Sequence, residues 1–296
     1  MKRKRLNFLI AIFPAITILL FWLPCQSQKS GTSPILKKIW ESPGLLTTCE
    51  SVCFDATDNV LMVTCINGNP TEKDGNGFIS KLSLSGEIIT LKWIDGLNAP
   101  KGMDIFQRKL YVTDIDRIAE IDLDKGLVIK DYNIPGARFL NDITIDAIGS
   151  VYISDMATGR IHRLYKGLVE IWLEDTKVVS PNGLFYENEE ILIGTRSGIF
   201  STSLEDKRTW EIISGTGSID GLEGDGHGNY LISDWIGKIQ LVNTDMESFV
   251  LLNTTDQKIN AADIEFNPAT KMLYVPTFAN NRVIAYELIY EPSTDH

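Results

Sequence analysis

The sequence has few histidines, few basic residues relative to acidic ones, and no motif of the common serine hydrolases. Only three of its 296 residues are histidine, and His162, His227 and His296 are each predicted to be solvated rather than to bind zinc. No G-x-S-x-G stretch occurs, which argues against a serine hydrolase. The formal net charge is -11, and such a surface repels phosphates, so nucleic acid is excluded as a partner.

Long hydrophobic runs are also scarce, and the one present lies at the N terminus. A basic MKRKR followed by the apolar run Leu6–Leu23 is typical of an export signal. We expect residues 1–25 to be an export signal or membrane anchor and residues 26–33 a linker. Lipidation at Cys25, cleavage near Ser27 and an uncleaved anchor stay open. All three place the folded body in the periplasm or at the membrane, outside the cytoplasm.

Cysteine is rare as well, and three cysteines follow the N-terminal segment: Cys49, Cys53 and Cys65. If residues 49–55 and 60–66 form a hairpin, Cys49 lies roughly opposite Cys65. A cross-strand disulfide is chemically allowed in an exported protein. Two free buried thiols are the alternative.

The chain contains six copies of one strand–turn–strand pattern. Each copy opens on a residue that is usually polar and ends near a Ser or Thr. The copies start at residues 50, 101, 141, 182, 220 and 262, a spacing of about 40 with a longer first unit. Two further short strands follow in most copies, and no helical periodicity competes with this pattern. Four strands in each repeat of this length predict an all-β, six-bladed β-propeller over residues 34–296.

The last repeat ends after its third strand, so the ring needs one more strand to close. Residues 34–42 have the character of the missing fourth strand. We therefore expect the N-terminal strand to complete the last blade, because an open ring would leave an unpaired strand edge.

The opening residues of the repeats would form a ring at one mouth of the channel. They are Glu50, Lys101, Asn141, Asn182, Asp220 and Ala262. Such polar residues often only cap turns. Two facing carboxylates, however, repel by roughly 2 kcal/mol at about 8 Å and need a partner, either Lys101 or a cation. Oxygen ligands favour Ca²⁺ first, with Mg²⁺, Mn²⁺ or Zn²⁺ as alternatives. Asp142, one residue beyond Asn141, is expected to face away from the channel and to fix a turn or a backbone amide.

Four stretches resemble the senescence marker protein (regucalcin) and gluconolactonase family of six-bladed propellers. They are ESVCFD with Glu50, LNDITIDAIG with Asn141, SPNGLFYENE with Asn182, and IDGLEGDGHG with Asp220. The resemblance implies that Glu50, Asn182 and Asp220 bind one divalent metal, that Asn141 holds substrate or a metal-bound water, and that Asp220 is also the base. Lys101 and Arg138 complete the predicted substrate-binding set. Phe139 stands where family members that bind sugar acids carry Arg.

The resemblance implies a metal-dependent hydrolase of lactones or related esters in the cell envelope. Its substrate would be a small molecule, a lactone or sugar acid derivative. We expect a monomer that touches the membrane only through its N-terminal segment, with the loop between residues 65 and 78 covering the channel mouth. The alternative is a non-catalytic binding or sensor propeller whose metal only stabilises the channel.

Overall fold

The computed structural model describes residues 32–292, which are almost entirely strands and turns. Within them the strands form six four-stranded antiparallel sheets, the blades of a β-propeller, so the predicted fold class is confirmed. A three-residue 3-10 helix, Thr255–Gln257, is the one helix in this range. No helix in residues 32–292 is long and apolar enough to cross a membrane. The predicted export segment, Cys25 and His296 lie outside the described residues.

Five blades are built from consecutive strands, and the sixth combines both ends of the described chain. Blade 6 holds β22 (Glu265–Asn267), β23 (Met272–Pro276), β24 (Val283–Pro292) and β1 (Thr32–Glu41). Blade 1 holds β2 (Cys49–Asp55), β3 (Val60–Cys65), β4 (Gly77–Ser83) and β5 (Ile88–Leu97). Blade 2 holds β6 (Pro100–Phe106), β7 (Lys109–Asp114), β8 (Arg117–Asp122) and β9 (Leu127–Asn133).

Blades 3 to 5 follow the same order. Blade 3 holds β10 (Leu140–Ile145), β11 (Val151–Asp155), β12 (Arg160–Tyr165) and β13 (Leu168–Glu174). Blade 4 holds β14 (Leu184–Glu187), β15 (Glu190–Gly194), β16 (Gly198–Ser203) and β17 (Thr209–Ser214). Blade 5 holds β18 (Leu222–Gly224), β19 (Asn229–Asp234), β20 (Lys238–Asn243) and β21 (Ser248–Asn253).

The N-terminal strand closes the ring as predicted. β1 pairs antiparallel with β24 from Thr32 beside Pro292 to Glu41 beside Ile284, and it begins slightly earlier than the expected boundary at residue 34. Trp40 in β1 joins blade 6 to blade 1, because its indole N–H donates to the carbonyl of Leu84 at 2.8 Å.

The apolar core is divided among the interfaces between neighbouring blades. Each interface buries its own cluster; that between blades 6 and 1 includes Val63, Leu61 and Ala285. Cys49 and Cys65 belong to the same cluster and face each other in the β2–β3 register, and both thiols are free. Burial raises the pKa of the Cys49 thiol to about 12. Of the two alternatives for this pair, the structure shows buried thiols.

A bulge near the start of the innermost strand places two successive residues of blade 3 along the channel. Leu140 of β10 pairs with Asp155 of β11, but the next paired residues are Ile143 and Ile153, so β10 has one extra residue here. This bulge interrupts the alternation of side chains between the two faces of the sheet. Asn141 therefore lines a cavity at one mouth, while Asp142 lines a second chamber rather than facing away as predicted. Asp142 does fix a backbone amide, since its Oδ2 accepts the N–H of Leu184 at 2.7 Å.

The prediction that His162 is solvated is wrong. Its side chain is only 2% exposed, because β12 is an interior strand of its blade, paired on both sides. Its Nε2 lies 3.8 Å from the Asp155 carboxylate. His227, in the turn before β19, is exposed as expected.

Candidate functional site

A cavity of about 290 Å³ lies at one mouth of the channel, and five of the six predicted ring positions line it. These polar residues are Glu50, Lys101, Asn141, Asn182 and Asp220. Ala262, the sixth ring position, is not among the lining residues. Ile66 and Pro70 also line the cavity, so the loop after β3 reaches the mouth as expected.

The ring residues are held in place by hydrogen bonds to the neighbouring strand and by close contact between blades. The backbone N–H of Asn182 donates to Gly194 at 2.9 Å, and that of Asp220 donates to Ser233 at 2.8 Å. Glycine follows each of these residues: a Cβ added at Gly183 would lie 2.6 Å from the carbonyl oxygen of Asp220, and one at Gly221 would lie 2.5 Å from the backbone nitrogen of Ile264. The blades thus approach at these positions more closely than a side chain would allow.

The two carboxylates of the ring each present one oxygen without a hydrogen-bond partner. Asn182 Nδ2 donates to Asp220 Oδ1 at 2.5 Å, while Asp220 Oδ2 and Glu50 Oε2 are buried and unpartnered. Burial raises the pKa of Asp220 to about 7, although the hydrogen bond from Asn182 acts in the opposite direction and lowers this pKa. Burial, followed by the negative charges of Asp220 and Asp263, raises the pKa of Glu50 well above its usual range. A positive charge in the cavity would stabilise both carboxylates.

Lys101 is the cation of the ring, and it is buried with only 1% of its surface exposed. Its ammonium donates to the carbonyls of Pro70 and Ala99, both at 3.2 Å, and lies 4.6 Å from the ring centroid of Phe139. Burial lowers the pKa of Lys101. Two of its three N–H donors are therefore bound to the protein, and the third remains for Glu50 or a ligand.

The cavity wall above the ring is mainly apolar, and this wall was not predicted. It includes Ile66, Phe139, Met156, Ile219, Trp235 and Phe278. Three of these residues, Ile66, Met156 and Trp235, directly follow the second strand of their repeats, after VTC, ISD and ISD, and Phe278 follows VPT, two residues beyond the end of β23. The same alignment that identified the ring could therefore have identified this second set.

Arg138 does not line the cavity, although it was predicted to bind substrate. Its side chain is exposed, and Phe139 occupies the wall instead. The buried carboxylate of Asp155 holds this segment, accepting the backbone N–H of both Arg138 and Phe139 at 3.0 Å. The arrangement directs Phe139 inward.

A second, acidic chamber of about 240 Å³ is lined by a different set of channel residues. Its carboxyl groups belong to Asp104, Asp142, Glu223, Asp263 and Glu265. Burial raises the pKa of all five, to about 7 for Asp104 and about 8 for Glu265. These groups hold protons at a pH where exposed carboxyls have lost them.

Metal binding at the mouth would depend on two carboxylates and amide oxygens rather than on a larger acidic cluster. Among residues 32–292, no group of three or more His, Cys, Asp and Glu side chains is arranged to hold a metal ion. The predicted set of Glu50, Asn182 and Asp220 contains two such residues, and all three lie in one cavity.

Comparison with solved structures places the fold among known propellers. A gluconolactonase from Xanthomonas campestris superposes with a TM-score of 0.61 at 15% identity, covering 82% of this chain and 86% of its own. A streptogramin B lyase gives 0.62 at 12% identity, with 87% and 98% covered. A luciferin-regenerating enzyme gives 0.62 at 15% identity, with 86% and 95% covered. The sequence matches no family model and no curated protein sequence. At these identities the likeness shows the fold.

Proposed function

We propose that this protein is a divalent-metal-dependent hydrolase of lactones or related esters, acting on small molecules at the cell envelope. The observation that carries the proposal is the pair of buried, unpartnered oxygens, Glu50 Oε2 and Asp220 Oδ2, in one cavity. A buried carboxylate oxygen without a partner is costly, by roughly 1–3 kcal/mol or more. A bound cation would remove that cost at both residues.

The donor set fits a hard cation. Glu50, Asp220 and the amide of Asn182 offer oxygens, which suit Ca²⁺ first and Mg²⁺ or Mn²⁺ as alternatives. No histidine lines the cavity, so Zn²⁺ is the least favoured of the ions considered. A cation held there would polarise a substrate carbonyl and lower the pKa of a water molecule.

The residues of the cavity can supply the remaining chemistry. Asp220 accepts the proton of the attacking water, and Asn182 keeps the Asp220 carboxylate oriented by engaging its Oδ1. Asn141 binds the substrate, and the third N–H of Lys101 can donate to the negative charge that develops on the substrate oxygen. The apolar wall limits access of bulk water around these groups.

The fold is consistent with the proposed hydrolase function. A gluconolactonase and a luciferin-regenerating enzyme are among the propellers with this architecture. The alternative is a non-catalytic propeller in which the same cation only neutralises Glu50 and Asp220.

One experiment separates these two functions. The purified protein is subjected to elemental analysis, and the same sample is tested on a panel of lactones and esters with and without a chelator. We expect about one equivalent of a divalent metal and hydrolysis that the chelator abolishes and added metal restores. Metal without turnover would favour the non-catalytic propeller. A sample with neither metal nor chelator-sensitive turnover would refute the proposal.

A further inference from the structure

We propose that the preferred substrate is a small lactone with an apolar substituent, an alkyl chain or an aryl group, rather than a polyhydroxylated lactone. This inference rests on the proposed hydrolase function and concerns the same cavity. It follows from the contrast between the polar ring at the base of the cavity and the apolar wall above it.

The wall offers almost nothing to which sugar hydroxyls could bind. Apart from the five ring residues, the polar side-chain groups among the lining residues are the hydroxyl of Ser218 and the indole N–H of Trp235, and both residues are exposed. A hydroxyl buried without a partner weakens binding by roughly tenfold. A ligand with several hydroxyls would accumulate this penalty, whereas an alkyl or aryl group would not.

Phe139 contributes a second argument through its contact with Lys101. The ammonium lies 4.6 Å from the centroid of the Phe139 ring, an attractive cation–π arrangement. A guanidinium at this position would instead place a second positive charge beside Lys101. At residue 139 the wall therefore offers an aromatic face to an apolar group and no hydrogen-bond donor to the carboxylate or hydroxyls of a sugar acid.

Trp235 and Phe278 form an aromatic pair in the cavity wall. Their rings meet edge to face with centroids 5.4 Å apart, and Trp235 is 46% exposed although it lines the cavity. The loop holding Trp235 is fixed by Asn260, whose Nδ2 donates to the Trp235 carbonyl at 2.8 Å. An apolar substituent lying against the indole would bury surface that is now in water.

The cavity volume limits the size of the occupant. About 290 Å³ lies at the lower end of small-molecule sites, which span roughly 300–1,000 Å³. A monocyclic lactone with one short substituent is compatible with this space.

The test is a series of γ-lactones that differ only in alkyl chain length, compared with a polyhydroxylated lactone on the metal-loaded protein. We expect kcat/KM to rise by about threefold to fourfold for each added methylene until the wall is filled. The polyhydroxylated lactone should be poorer by about a hundredfold or more. Trp235→Ala should flatten the chain-length dependence, whereas Trp210→Ala, a tryptophan outside the cavity, should leave it unchanged.

A binding measurement keeps this inference separate from the hydrolase proposal. Lactams with the same alkyl chains, in which N–H replaces the ring oxygen, are titrated by calorimetry against the protein with and without metal. Affinity that rises with chain length supports an apolar ligand even if no lactone is hydrolysed, in which case the hydrolase proposal alone fails. The inference is overturned if no lactam binds, if affinity is independent of chain length, or if the polyhydroxylated lactone is preferred.

Discussion

Asn182 of blade 4 donates to Asp220 of blade 5 across the interface between the two blades, with Nδ2 2.5 Å from Oδ1. This hydrogen bond determines which oxygen of Asp220 remains available, since Oδ1 is engaged and Oδ2 has no partner. The hydrogen bond between the two neighbouring repeats thus leaves one carboxylate oxygen, Asp220 Oδ2, available in the cavity.

Replacing Asn182 should weaken metal binding while leaving the propeller folded. In Asn182→Ala, Asp220 loses its orienting donor and the ring loses an amide oxygen, so affinity should fall by about 10–100-fold. Calorimetric titration with Ca²⁺, together with the rise in Tm at saturating Ca²⁺, measures the change. Asn133→Ala, at an exposed strand end, is the control. Unchanged affinity in Asn182→Ala would remove Asn182 from the ligand set.

Asp220→Asn should abolish hydrolysis, because the amide cannot accept the proton of the attacking water. We expect kcat to fall by about 10²–10⁴-fold, with an unchanged far-ultraviolet circular dichroism spectrum. Glu223→Gln is the matched control: it is three residues further along the chain and lines the acidic chamber instead. If Asp220→Asn retains turnover, another group is the base.

Acidification should stabilise the metal-free protein between about pH 8 and pH 5. Burial raises the pKa of Asp104 to about 7 and that of Glu265 to about 8, so the folded state binds more protons than the unfolded chain, whose carboxyls titrate near pH 4. Stability is therefore lost as pH rises from about 4 to about 8. Urea denaturation with chelator at pH 5.5 and 8.0 should show a difference in the free energy of unfolding on the order of 5 kcal/mol.

The double variant Asp104→Asn, Glu265→Gln provides the control for this pH effect. It should reduce the difference between the two pH values, because the substituted side chains do not titrate. Greater stability of the unsubstituted protein at pH 8.0 would contradict the assignment of these groups.

Removal of the closing strand should destabilise the whole domain rather than one blade. Deleting residues 34–42 leaves β24 unpaired along its outer edge and exposes the interface between blades 6 and 1. We expect loss of the cooperative thermal transition. Trp40→Ala is the milder form and should cost roughly 2–4 kcal/mol. Ile39→Ala, at a neighbouring side chain that is 45% exposed, should change stability little.

The three buried cysteines should react with thiol reagents only when the protein unfolds. Burial raises the pKa of Cys49, Cys53 and Cys65, so the reactive thiolate is scarce at neutral pH. A chromogenic thiol reagent should label them slowly under native conditions and rapidly in denaturant. Absence of labelling at Cys49 and Cys65 in denaturant, reversed by a reductant, would indicate that a disulfide joins them.

The repeat pattern was sufficient to predict the blades, the closing strand and the ring of opening residues. Five of the six blades are local units whose alternation and turns lie within about 40–50 consecutive residues, and equivalent positions meet because the blades surround one axis. Asn141 and Asp220 were identified in this way.

Other features of the structure could not be predicted from the alternation of apolar and polar residues, because they depend on the local geometry of the backbone. The bulge in β10 turns Asp142 toward a second chamber. Hydrogen bonds to Asp155 fix the segment before β10, because the carboxylate accepts the backbone N–H groups of Arg138 and Phe139. These bonds place Phe139 in the cavity wall and leave Arg138 exposed. His162 is buried because its strand lies inside the blade, although its sequence context resembles a surface strand.

The closing strand also determines the direction in which the cavity opens relative to the N terminus. β24 follows the turn that carries Phe278 at the mouth and runs to the opposite face, where its end pairs with Thr32 at the start of β1. The chain therefore enters the propeller on the face away from the cavity. If the preceding residues hold the protein at a membrane, which is one of the alternatives that the sequence leaves open, the attachment would join the propeller on the face opposite the cavity mouth.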